Sequence, residues 1–201
     1  MKIITVAHQK GGVGKTTLSL NLATFFKDYA RVGLLDSDPQ ESINGLGDLL
    51  EGIKIIPHDY LSTLEKVKDL DLLVIDTPPY LTTRLTELFM LSDYVLIPTK
   101  VGYLDAMAIR ATIALLKEAQ SRKQNLKAGV VMNMVKHRTS INDDIKEILR
   151  GFDIPILSTV ITDRVSYTRS VISSGVMESI DEKAKEEITN LAEEITESLK
   201  S

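Results

Sequence analysis

The sequence has no cysteine among its 201 residues. That excludes a disulfide framework, a thiolate metal site and an iron–sulfur cluster held by the chain's own thiolates. It also fits a reducing compartment. Long apolar runs are missing too. No stretch approaches the roughly 20 residues needed to cross a bilayer. The N-terminal run Ile3–Ala7 is too short for the core of a secretory signal. The chain therefore reads as a cytoplasmic protein without a membrane partner. Nor is there a surplus of positive charge: 24 Lys and Arg face 28 Asp and Glu, a formal net charge of −4. A protein coated in positive charge is excluded, whereas a local basic patch is not. Linkers rich in Pro, Gly or Ser, repeats and low-complexity tracts are absent, which points to one domain over residues 1–201.

What is present is an alternation. Short apolar runs at Lys2–Ala7, Val32–Leu35, Leu72–Ile75, Tyr94–Ile97, Ala128–Met132 and Ile156–Val160 read as buried strands, with Ile53–Ile56 a weaker one. Helical spacing fills Thr16–Tyr29, Leu61–Asp69, Thr82–Leu91, Leu104–Gln120 and Ile141–Leu149. Strands alternating with helices predict an α/β fold, a doubly wound and mostly parallel sheet with helices on both faces. In such a sheet the ligand crevice lies beyond the carboxyl ends of the strands. Three strand ends stand out.

The first is His8-Gln9-Lys10-Gly11-Gly12-Val13-Gly14-Lys15-Thr16-Thr17, between a strand and a helix. Gly11, Gly12 and Gly14, with Val13, allow the backbone to wrap around phosphate with its N–H groups inward. The helix beginning near Lys15 adds its dipole and free N–H groups. Lys15 is expected to reach the β- and γ-phosphates, Thr16 to ligate Mg²⁺ through its hydroxyl, and Thr17 to meet the α-phosphate. This is the pattern of a P-loop NTPase. The second is Leu34-Leu35-Asp36-Ser37-Asp38-Pro39-Gln40, where a strand ends in two carboxylates. The third is Leu72-Leu73-Val74-Ile75-Asp76-Thr77-Pro78-Pro79, a Walker B pattern in which Asp76 holds Mg²⁺ through water.

The string from Lys10 to Thr16 resembles the deviant Walker A motif of the ParA/MinD ATPases. The resemblance covers nearly the whole chain and is strongest over Lys2–Gln40 and Asp71–Lys100. It implies that Lys10 reaches across a dimer to phosphates bound by the partner subunit, so that ATP is sandwiched between two copies. It also implies that Asp36 organises Mg²⁺ and that Asp38 orients the attacking water. Asn133, after a later strand, matches the family's adenine contact, and the loop Thr162–Arg164 is a second candidate for the base. No Glu or His takes a general-base role in these motifs, so basal hydrolysis is expected to be slow and open to stimulation by a partner's arginine.

The short plasmid-partition ParA proteins are the most similar group. The phosphate loop lies within the first dozen or so residues, leaving no room for an N-terminal helix-turn-helix domain. Their resemblance implies a nucleoid-associated ATP-dependent homodimer, non-specific DNA binding, and a centromere-binding partner of ParB type. Candidate DNA contacts are Lys117, Arg122, Lys123, Lys127, Lys136, Arg138, Arg150, Arg164 and Arg169. Two rival readings share the nucleotide motifs: positioning of a protein cargo, and a small-molecule ligase on the same fold. A MinD-like membrane helix is disfavoured at the C-terminus. There Ile188, Leu191, Ile195 and Leu199 form one apolar stripe opposite a Glu-rich face that anionic lipid would repel, so the helix is expected to pack on the domain.

Overall fold

Each apolar run becomes a strand, and the runs inside the sheet are buried on both faces. In the computed structural model, which describes residues 1–37, 50–57, 67, 69–80, 83–136 and 143–200, the strands are β1 (Lys2–Val6), β2 (Val32–Asp36), β3 (Ile53–Ile56), β4 (Leu72–Asp76), β5 (Tyr94–Thr99), β6 (Lys127–Val135) and β7 (Ile156–Thr162). They form one seven-stranded sheet in the order β3-β2-β4-β1-β5-β6-β7, and every pairing is parallel. Every residue of β2, β4 and β5 is buried. That is why these runs carry continuous apolar residues rather than an alternation. The strand expected at Ile53–Ile56 is present as a sheet edge.

The helices are α1 (Lys15–Phe26), α2 (Thr83–Leu91), α3 (Tyr103–Arg122), α4 (Asp143–Arg150), α5 (Val165–Ser170) and α6 (Glu182–Lys200). Ile4, Val6 and Val74 face one core with Leu18 and Leu22 of α1 and Ile188 and Leu191 of α6. Val95, Ile97 and Val130 face the opposite core with Ile109 and Leu116 of α3. The sheet is thus covered on both sides. The C-terminal stripe does what its spacing predicted: Ile188, Leu191 and Ile195 are fully buried, and Leu199 packs against the same core. Most of the helix expected over Leu61–Asp69, like Asp38, Pro39 and Gln40, lies outside the described residues. No helix among the described residues is long and apolar enough to cross a membrane.

β7 forms the other edge of the sheet. Its exposed N–H groups would invite another strand, and α6 blocks them with side chains. Glu194 accepts from the N–H of Ser158 at 2.7 Å and of Thr159 at 2.9 Å. Glu187 accepts from the N–H of Thr162 at 3.1 Å. β1 lies between β4 and β5, where the winding reverses direction, so the crevice of the fold opens at its carboxyl end.

Candidate nucleotide-binding site

The chain leaves β1 into that crevice and turns at once into α1. Gly12 and Gly14 take φ of 67° and 89°, left-handed values that favour glycine. Gly14 is the N-cap of α1, with no side-chain cap and no acid in the first turn. The first N–H groups of α1 and its positive dipole end therefore face the loop without a side-chain competitor, as an anion site requires. Lys15 is 6% exposed, and its Nζ donates to the Lys10 carbonyl at 3.3 Å, so the ammonium is folded back into the loop.

Below the loop, Asp36 and Asp76 stand in register at the ends of β2 and β4, and both are buried. Asp76 accepts from Thr16 Oγ1 at 2.6 Å and from Ser19 Oγ at 3.1 Å. Burial pushes the Asp76 carboxyl up to about 7. The Thr16 and Ser19 hydrogen bonds and the Lys15 charge work against the rise, and the Asp36 charge adds to it. Two neighbouring buried carboxylates fit a divalent cation, whose charge would relieve both their desolvation and their repulsion. Thr16 donates its proton to Asp76 and keeps a lone pair for a metal. These residues would hold Mg²⁺, and the ion would supply charge neutralisation for phosphate oxygens. Among the described residues no cluster of three or more His, Cys, Asp or Glu side chains could hold a metal ion.

Residues 4–174 match the CobQ/CobB/MinD/ParA nucleotide-binding domain. The chain belongs to this family. It is 29% identical to the maintenance of carboxysome distribution protein A of Halothiobacillus neapolitanus, over 84% of this chain and 83% of that protein. It is 28% identical to the virulence plasmid ParA family protein pGP5-D of Chlamydia psittaci, over 99% and 96%. Among solved structures, an McdA–ATP complex from Cyanothece superposes with a TM-score of 0.76 at 16% identity, covering 99% of this chain and 96% of that one.

The base of the nucleotide is expected beside the loop. A cavity of about 260 Å³ is found there, lined in part by Thr17, Asn133, Thr162, Asp163 and Arg164. Both stretches expected near the base thus meet at one cavity. β6 runs on to Val135, so Asn133 lies inside the strand rather than just after it. Its Nδ2 donates to the Val13 carbonyl at 2.7 Å, and its Oδ1 accepts from the Met134 N–H at 2.9 Å. The side chain braces the phosphate loop in addition to lining the cavity. A Cβ on Gly14 would collide with this amide, a second reason for glycine there.

Several participants carry no sequence signal. His8 is 1% exposed; its Nδ1 accepts the Lys10 N–H at 2.8 Å. Its Nε2 is buried with no hydrogen-bond partner among the described residues. Burial first, then the Lys15 and Lys10 charges, push its pKa down to about 4 against the pull of Asp105. Lys10 Nζ contacts Asp105 Oδ1 on α3 at 2.5 Å. Asn21 in α1 donates to the Thr17 carbonyl and Ser170 Oγ and accepts the Val176 N–H, tying α1 to the C-terminal segment.

The basic residues divide into two groups. Arg164 is engaged by Glu187 and Asp181. Lys123 donates to the carbonyls of Met90, Leu91 and Ser92 at the end of α2. Lys117 pairs with Asp153 and Arg122 with Glu118. Lys127 is engaged as well. Lys136, Arg150 and Arg169 are exposed, and Arg138 lies outside the described residues.

Proposed function

We propose that this protein is a Mg²⁺-dependent ATP hydrolase that pairs on ATP, binds DNA without sequence preference, and drives DNA partition through partner-stimulated hydrolysis. The observation that carries the reading is the pair of lysines on one loop: Lys15 is folded inside, and Lys10 stands 41% exposed at the mouth. Within one chain a single inward lysine suffices to meet the terminal phosphates. A second one held outward suits a neighbour's nucleotide. In this reading Lys15, Thr16 and Thr17 hold the phosphates with the amides of residues 11–14. Thr16, Asp36 and Asp76 hold Mg²⁺, Asp38 orients water, and Asn133 flanks the base. Residues 1–201 act as one nucleotide-binding unit.

Phosphoryl transfer in such a site depends on positioning and charge stabilisation, so a partner that completes the site controls the rate. A chain of net charge −4 binds DNA only through a local patch. Lys136, Arg150 and Arg169 are its candidates, and pairing would double it by effective concentration. The likeness to a carboxysome distribution protein favours a second reading, in which the same cycle positions a protein cargo.

The test is binding to random-sequence DNA with ATP, with ADP and without nucleotide, titrated with salt. Binding only with ATP, weakening steeply as salt rises, supports DNA partition. ATP binding with no DNA binding in any state rejects the DNA role and leaves the protein-cargo reading.

A further inference from the structure

The ammonium group of Lys10 is held by its own chain. Nζ lies 2.5 Å from Oδ1 of Asp105, the third residue of α3 and 95 positions along the sequence. The backbone beneath it is anchored separately. The Lys10 N–H donates to His8, and Gln9 is clasped by α3 through Thr112 Oγ1 and the Ala108 carbonyl. The Asp105 carboxylate is only 16% exposed, whereas the lysine remains 41% exposed. The acid is seated in the protein, and the lysine reaches to it from the mouth of the loop.

Room for that seat is made by Gly102. A Cβ there would lie 2.7 Å from Asp105 Oδ2, although Gly102 has an extended backbone that any residue could adopt. Tyr103 and Leu104, just before Asp105, are 61% and 75% exposed. The turn that carries the acid thus presents two large apolar side chains to solvent.

We propose that Asp105 is a positioning residue for Lys10: it holds the ammonium within its own subunit and so sets how readily Lys10 passes to the nucleotide of a second copy. This rests on the ATP-dependent dimer proposed above. An acid in a first helical turn ordinarily offsets the helix dipole. That role alone neither directs the carboxylate at Lys10 nor requires space at Gly102. A triphosphate offers several charged oxygens where Asp105 offers one carboxylate, so bound nucleotide competes effectively for the lysine. A part-exposed ion pair favours the held state by roughly fivefold. A symmetric pair of subunits must open two such contacts, so removing both should strengthen association by roughly 25-fold.

The experiment compares wild type, Asp105→Asn, Gly102→Ala, Lys10→Ala and the Lys10→Ala/Asp105→Asn double variant in three measurements. The first is the rate at which a small amine-reactive ester acylates Lys10 in the nucleotide-free protein, read by mass spectrometry. The second is association by sedimentation velocity with a non-hydrolysable ATP analogue and with ADP. The third is Tm. Asp105→Asn should be acylated several-fold faster and associate at roughly 25-fold lower protein concentration with the ATP analogue. Gly102→Ala keeps the carboxylate but displaces it, and should move both readouts the same way. In the Lys10→Ala background, Asp105→Asn should leave association unchanged. Equal acylation rates, or a lowered Tm with neither other readout moved, would overturn the proposal and leave Asp105 as a helix-end acid. Weaker association of Asp105→Asn would also overturn it. Faster acylation with no nucleotide-driven association in any protein would overturn the dimer reading, and with it the transfer of Lys10 to a second copy.

Discussion

His8 meets two demands that conflict at low pH. Its Nδ1 must accept the Lys10 N–H, so it must stay neutral, while the unfolded chain protonates it below its ordinary value of 6.5. With its pKa in the folded state pushed down to about 4, the stability it supports is complete above pH 6.5 and falls as pH drops toward 4, by about 3 kcal/mol at most. Asp76 has the opposite slope, because its raised carboxyl binds a proton between about 7 and 3.8 that the unfolded chain does not. The check is therefore a difference. His8→Asn keeps an acceptor for Lys10 and cannot titrate, so urea unfolding of wild type should lose more stability than this variant between pH 7 and pH 4.5. Tyr94 poses a simpler case. Its hydroxyl is buried against the space left by Gly129 and has no hydrogen-bond partner among the described residues. Tyr94→Phe removes that uncompensated group and should raise stability by about 1 kcal/mol, seen as a higher urea midpoint at unchanged slope.

Among the elements, α1 and α6 do the most to join distant parts of the chain. Asn21 holds α1 against α5 and the turn at Val176 by donating to Ser170 Oγ and accepting the Val176 N–H, while its other amide proton goes to the Thr17 carbonyl of its own helix. Asn21→Ala strands a buried N–H and opens a small void, and should cost about 3 kcal/mol in denaturant unfolding. At the sheet edge, burial works against the charge of Glu194, but hydrogen bonds from Thr159 and Ser158 hold it below the usual carboxylate range. Glu194→Ala would bare two strand N–H groups. It should therefore show concentration-dependent aggregation by light scattering before any large loss of Tm. The apolar spacing of α6 was legible in the sequence; the use of its acids as a cover for β7 was not. That use depends on which strand ends up at the edge, a property of sheet order rather than of local pattern.

At the scale of the molecule, nucleotide binding and stability are one equilibrium. Mg²⁺-ATP at about 100 times its Kd should stabilise the fold by about 2.7 kcal/mol. For a chain of 201 residues that raises Tm by roughly 5–10 °C. Lys15→Ala should abolish the shift, and chelation of Mg²⁺ should reduce it; an unchanged shift in Lys15→Ala would refute the loop assignment.

The alternation of buried strands and helices, and the residues that sit just beyond the strand ends, were legible in the apolar runs of the chain. A parallel sheet must bury both faces and gather its ligand at one edge, so the Lys10–Thr17 loop, Asp36 and Asp76 could be read from apolar runs and the residues that end them. Which lone side chains join them, and how, depends on the folded sheet. Ser19 and Asp105 reach the site from helices, where local pattern says only that they are polar, and Asn133, marked by the family resemblance for the base, also braces the phosphate loop from a strand interior. Their partners lie 57, 95 and 120 residues away in sequence. Such contacts exist because the strand order places β4 and β5 on either side of β1, and no local property of the chain records that neighbourhood.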